Sequence, residues 1–305
     1  MSPDPTLPFA DGPGAIGTHA DPVLVDPSPS LLTAAVEAYR EAAPGLVGPD
    51  PSTLRAEAEG DSPALSETLP SELPSLTVLA SDRAADAVVD RFHPASRLAA
   101  LVEAEVWDLL TLPEPQPNAA LVGRTTGFAL VPAEGSKHEN TDADAGDGPE
   151  TWCRVGDDPT LRERYAPLVE AAEVRGVRTP SRRRAYEALR ERCGLDVAGD
   201  AIRALDAGVV DGDALDLAGA RRRAYVVGVQ RGALDRDLRR ACEDAGLGSS
   251  ATFTRIKREL RDAGLLGTES VPQRVGRPRE RLVARGGLAD ADGPIEAVAA
   301  ALDAV

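Results

Sequence analysis

The residues of this chain with the clearest chemical use are arginines and hydroxyls in a short stretch near the C-terminus. Between Ser249 and Ala263, Phe253, Ile256 and Leu260 recur at i, i+3 and i+7, the spacing of one helix face. The opposite face carries Ala251, Thr254, Arg255, Arg258 and Asp262. With Ser250, the small and hydroxyl groups come first and the guanidinium groups follow. A hydroxyl or methyl suits a base edge, and a guanidinium forks onto guanine or onto phosphate oxygens. Beyond this helix lie Arg274, Arg277 and Arg279; Arg277, between Gly276 and Pro278, suits insertion into a narrow minor groove. Arg239 and Arg240, on the preceding helical stretch, are candidate phosphate contacts. The chemistry on offer is recognition of an anionic polymer, with no bond made or broken.

The elements that must position these groups are legible around them. Leu215–Gln230 is a helix with a mixed apolar and Arg surface, ended by Arg231-Gly232. Leu234–Ala245 is a second, stopped at Gly246, where a helix end favours a left-handed residue. Leu247-Gly248 makes a short turn, and Ser249 or Ser250 caps the third helix, which Gly264 closes. Helix, short glycine turn and helix form a helix-turn-helix. Leu265–Val271 and Arg281–Ala284 then read as two strands joined by a turn over Pro272–Arg279, which is a wing. Residues 213–288 are thus expected to form a winged helix-turn-helix, followed by a short C-terminal helix in 289–305.

Charge supports an anionic partner locally and hides it globally. The chain has 34 Lys or Arg against 50 Asp or Glu, a net charge of −16, and an acidic surface repels a polyanion. Yet Arg221–Gly286 holds 16 basic against 8 acidic residues, which leaves −24 on the rest. Only Lys137 and Lys257 of the basic residues are lysines, a balance that looks like proteins of salt-accumulating haloarchaea. At about 1 M salt the Debye length is roughly 3 Å, and the self-repulsion of such a surface is screened.

Other function classes find little support. Cys153, Cys193 and Cys242 form no CxxC pair and there are three His, so neither a disulfide framework nor a metal site is expected. Gly12-Pro13-Gly14-Ala15-Ile16-Gly17 matches GxGxxG, but no strand is read before it and no helix after it, so no dinucleotide cofactor is expected. With no GxSxG elbow, P-loop or paired acid and base, no catalytic residue is assigned and no enzyme is expected. His93 reads as a capping or surface residue, Trp107, Phe128 and Trp152 as core, and Cys242 as a small core residue. No signal peptide or membrane-spanning run is evident, which points to the cytoplasm.

The N-terminal half reads as an α/β domain over residues 21–175. Val23–Val25, Leu76–Ala80, Val106–Leu112, Ala119–Gly123, Gly127–Val131 and Trp152–Val155 read as strands. Ser28–Ala42, Asp82–Phe92, a stretch ending near Glu105, and Pro159–Val174 read as helices. Residues 1–20 read as a disordered tail, and about 44–74 and 132–150 as disordered acidic insertions. Residues 176–212, with helices at Ser181–Arg192 and Asp200–Ala207, read as a helical connector.

The run Ser249–Ala251, Thr252-Phe253-Thr254-Arg255, Leu260, Gly264-Leu265-Leu266, Val271-Pro272 and Val275-Gly276-Arg277-Pro278-Arg279 resembles the C-terminal domain of haloarchaeal TbsP-type transcriptional regulators. Val23–Pro29 and Leu76–Asp82 are similar to that family's N-terminal openings. The resemblance implies sequence-specific binding of promoter DNA, control of central sugar-metabolism genes, and an α/β domain joined to a winged helix. Because one winged helix reads only a few base pairs, a homodimer is expected, with the α/β domain supplying the contact and a possible small-molecule effector site. A winged helix used as a protein-interaction adaptor and an enzyme housed in the α/β domain are the alternatives.

Overall fold

The computed structural model describes residues 4–9, 12–60, 73–132, 150–156, 160–207, 215–274 and 277–304. They fall into two units, Met1–Val47 with Leu69–Val88 and Leu101–Gly176, and Gly48–Thr68 with Val89–Ala100 and Val177–Val305.

The first unit is built on a mixed sheet of nine strands: β1 Thr6–Phe9, β2 Gly12–Ala15, β3 Val23–Val25, β4 Leu76–Ala80, β5 Trp107–Thr111, β6 Ala120–Val122, β7 Gly127–Pro132, β8 Glu150–Gly156 and β9 Glu173–Val174. Their order is β2-β1-β8-β7-β6-β3-β4-β5-β9. Strands β3, β4 and β5 are parallel, which requires crossovers, and β6, β7 and β8 continue as an antiparallel meander from β3. Val23, Leu24 and Val25 are all fully buried, as expected of a central strand covered on both faces.

On one face, Leu161, Tyr165 and Leu168 of α6 (Thr160–Ala171) pack on Val23, Val25, Leu110 and Val122. On the other lies α1 (Pro29–Ala42), started by Ser28, whose hydroxyl accepts from Leu31 N, with Pro29 in the first turn. Its Tyr39 ring stands edge-on to Trp107, centroids 5.2 Å apart. Between β4 and β5 run α4 (Asp82–Val89) and α5 (Phe92–Glu103).

Three expectations need correction. The expected tail contributes β1 and β2, because Leu7 and Ile16 are buried and the Phe9 ring meets Phe128 edge-on at 4.7 Å. A strand therefore does precede the GxGxxG run, but the run itself forms the hairpin partner, not a strand-to-helix turn. The expected insertion at 44–74 contains α2 (Pro44–Val47) and α3 (Pro51–Glu59). Asp50 caps α3 by accepting from Ser52 N and Thr53 N, a local source of order that the acidic composition masks. Residues 61–72 and 133–149, the rest of the two expected insertions, lie outside the described residues, as do residues 1–3, 10 and 11 of the expected tail.

The third correction concerns the connector. Helices α7 (Arg182–Cys193) and α8 (Leu195–Asp206) join the core of the second unit: Tyr186, Leu189, Ile202 and Leu205 are buried with Tyr225, Val227, Leu238 and Phe253. Leu54 of α3 and Phe92 of α5 belong to the same core. Apolar residues on α7 and α8 have no face to bury alone, so they became part of the helical body. Residues 208–214 lie outside the described residues. The remaining elements are α9 (Leu217–Gln230), α10 (Asp235–Asp244), α11 (Ser250–Asp262), the antiparallel pair β10 (Leu266–Val271) and β11 (Arg279–Ala284), and α12 (Pro294–Asp303), which buries Ala297, Val298 and Ala301.

Candidate nucleic-acid interface

Helices α9, α10 and α11 assemble by close backbone approach. A Cβ on Gly228 would overlap the buried Leu238 side chain, so α9 and α10 touch where only glycine fits. Helix α10 ends at Gly246, whose φ of +83° is left-handed, and Leu247 N returns to Cys242 O at 3.0 Å. Cys242 is buried in the core, and burial pushes its thiol well above the usual range. The turn then delivers Ser249, whose hydroxyl accepts from Thr252 N and starts α11.

Phe253, Ile256 and Leu260 of α11 are buried, and the Phe253 ring stacks on Tyr225 of α9 at 5.9 Å. That fixes which face is left outside: Ala251, Thr254, Arg255, Arg258 and Arg261 are exposed.

Beneath this face sits a charged centre that spacing alone does not show. The Asp235 carboxylate, at the start of α10, is buried and accepts from Tyr225 Oη at 2.8 Å and from Arg239 at 3.0 Å, and it lies 3.1 Å from Lys257 Nζ on α11. Lys257 also reaches Glu280 of β11 at 2.6 Å. Burial acts to raise the Asp235 carboxyl, but the Tyr225 hydroxyl, Lys257 and Arg239 outweigh it, and the net direction is down. Burial and the neighbouring Asp235 charge push the Tyr225 phenol well up. One carboxylate thus ties α9, α10, α11 and, through Lys257, the wing strand. The Asp235 and Arg239 pair, four residues apart, was legible in the sequence; the Tyr225 and Lys257 contacts are tertiary.

The wing is held at its base as well. Leu282 N donates to Ala233 O at 3.0 Å, and Leu234 bridges to Arg281, so the loop between α9 and α10 adds an edge to the β10–β11 ribbon.

The expected contact residues divide accordingly. Arg239 donates to Asp235 and to Ser250 Oγ, so both Arg239 and Ser250 are engaged inside the protein. Arg279 donates to Asp237 at 3.0 Å. Thr254 uses its hydroxyl hydrogen on Ser250 O but stays exposed. Arg255 is 63% exposed and lies 3.8 Å from Glu259. Arg240, Arg258, Arg274 and Arg277 are exposed. Val275 and Gly276, the middle of the expected wing tip, lie outside the described residues. Arg236 and Arg261 are exposed arginines that the sequence reading passed over, although Arg261 lies one turn beyond Arg258.

Between α10 and the wing lies a groove of about 340 Å³, lined by Asp235, Arg236, Arg239, Arg277, Arg279 and Glu280 among others. Among the described residues, no group of three or more His, Cys, Asp or Glu is placed to hold a metal ion, and no helix is long and apolar enough to cross a membrane.

Helix, glycine turn, helix and two-stranded ribbon, carried on an α-helical body, make the second unit a winged helix-turn-helix, joined to an α/β N-terminal unit. The model of the TbsP-like transcriptional regulator C-terminal HTH domain matches residues 181–301, and that of the TbsP-like N-terminal region matches residues 46–146. The chain belongs to the TbsP-like family of transcriptional regulators. The C-terminal match begins within one residue of α7, in keeping with α7 and α8 being part of the helical body. No curated protein and no solved structure matches the chain.

Proposed function

We propose that the protein regulates transcription by binding double-stranded promoter DNA, with α11 in the major groove and the wing over the adjacent minor groove. The observation that carries this reading is the division of α11: a fully buried apolar stripe fixes its orientation, and Thr254, Arg255, Arg258 and Arg261 face outward. Arg255 and Arg258 read base edges, Arg274 reads groove shape, and Arg240 holds phosphate. One such module covers a few base pairs, so the working form is a homodimer on a two-fold site. The α/β unit supplies the dimer contact and a place for an effector, and target promoters include those of central sugar metabolism, as the family resemblance implies.

The test is selection of bound duplexes from a random library in molar KCl, followed by titration of variants on the selected site and on a random duplex. Arg258→Ala is expected to cost about 1–3 kcal/mol on the selected site and to relax base choice, as for a lost bidentate contact. Arg240→Ala is expected to weaken both duplexes alike. An Arg258→Ala, Arg255→Ala double variant that binds both duplexes as the parent does would defeat the assignment of α11 and favour a protein-binding adaptor.

A further inference from the structure

The groove between α10 and the wing differs from the exposed face of α11. On α11 the arginines stand along a line, as suits an extended polymer. In the groove, arginines line one cavity from two elements, Arg236 and Arg239 from α10 and Arg277 and Arg279 from the wing, with Arg239 already donating to Asp235 and Ser250 and Arg279 to Asp237. The two carboxylates in its wall, Asp235 and Glu280, are both occupied by Lys257. Arg236 and Arg277 are exposed. The Arg239 Nε atom is buried and finds no hydrogen-bond partner among the described residues, although the other two nitrogens of that guanidinium are bonded. A buried donor that nothing accepts from has lost its water without compensation, so an acceptor placed there is favoured.

We infer that this groove is a binding site for a small molecule carrying a phosphomonoester. A phosphomonoester near neutral pH carries close to two negative charges and presents three acceptor oxygens, and convergent guanidinium forks match it bidentately. The volume of about 340 Å³ lies at the lower end of the range for small-molecule pockets and leaves room for more than the phosphoryl group itself. A phosphodiester of a nucleic-acid backbone offers one charge and two free oxygens, and uses such convergence less well. Because the walls belong to the first helix of the helix-turn-helix and to the wing, an occupant joins the two. The inference does not depend on the reading of α11.

Calorimetric titration of the full chain at fixed ionic strength separates the possibilities, with methyl phosphate as the monoester, dimethyl phosphate as the diester and methyl sulfate as a singly charged control. Methyl phosphate is expected to bind at least tenfold more tightly than the other two. Arg236→Ala and Arg277→Ala are each expected to weaken it at least tenfold, Arg236→Lys less, and Arg274→Ala within twofold of the parent. Melting curves of the same variants check that each is folded, and the exposed positions of Arg236 and Arg277 make this the expected result. Absence of methyl phosphate binding to the parent, or binding that survives both Ala variants, overturns the site. Equal affinity for dimethyl phosphate overturns the monoester assignment and gives the groove to a nucleic-acid backbone. Duplex binding by the parent is measured alongside, so a failed groove and a failed DNA reading give different results.

Discussion

The two units spend the same residue type differently. In the sheet unit, Arg124 lies 2.6 Å from Asp21, and Arg175 holds both Asp82 and Asp86. In the helical unit arginine divides into two sets. Arg182 is bidentate on Asp206, Arg192 meets Asp244, and Arg203 and Arg231 share Asp200, while Arg236, Arg240, Arg258, Arg261, Arg274 and Arg277 are exposed and form no ion pair among the described residues. A count of charges along a sequence therefore overstates what a partner meets. The excess in Arg221–Gly286 becomes available to a partner only for the exposed, unpaired set, and that set gathers on α10, α11 and the wing.

The comparison is sharpened most by the buried carboxylate. Asp235→Ala leaves Lys257 with Glu280 alone, takes the acceptor from the buried Tyr225 hydroxyl and the carboxylate from Arg239, and is expected to cost about 3–5 kcal/mol of unfolding free energy, read from urea denaturation. Its pH dependence has a definite sign. The Asp235 carboxyl is held below its ordinary value, so its stabilisation is complete above the unfolded-state value near 4 and fades as pH falls through the lower folded value. The parent should lose stability in that acid range more steeply than the variant, and parallel acid profiles would show that the centre contributes nothing.

A smaller effect is expected from Gly228→Ala, which forces Leu238 off its site between α9 and α10. Overpacking of this kind costs about 1–3 kcal/mol, and a melting temperature within a degree of the parent would show that α9 and α10 have room to separate. Smaller again is Arg175→Ala in the sheet unit. Its partners Asp82 and Asp86 are largely exposed, so the change is expected to stay below about 1 kcal/mol and to shrink in high salt. Should Arg175→Ala rival Asp235→Ala, the contrast between the units would be lost.

How much of this was legible depends on whether a signal was local. Helices α9, α10 and α11 and the two wing strands were read within two residues of their bounds because apolar spacing and glycine stops coincide there; α9 begins at Leu217, two residues after the expected Leu215, and β11 at Arg279, two residues before the expected Arg281. Asp50-Pro51 was a start signal of the same kind, a cap followed by proline in the first turn, but the surrounding acids and prolines obscured it. Strands β1 and β2 had no such signal. Thr6–Phe9 and Gly12–Ala15 lack alternation, and they form because Phe9, Phe128 and Trp152 cluster across the sheet. Among the contact residues, exposure on α11 followed from its periodicity. The Arg239 pair with Asp235 is local to α10, but the bonds of Arg239 to Ser250 and of Arg279 to Asp237 were not legible, since they form only when the turn and wing fold back.

Lys257 carries one last consequence. In a chain with two lysines among 34 basic residues, this position keeps a compact ammonium, which can sit between two carboxylates where a planar fork would have to choose one. Its side chain is 13% exposed, so amine-directed acylating reagents meet a charged, shielded and nearly solitary target. The rate at which it is acylated becomes a chemical clock for the joint of helix and wing, slow while that joint is closed and fast whenever Asp235 and Glu280 let go.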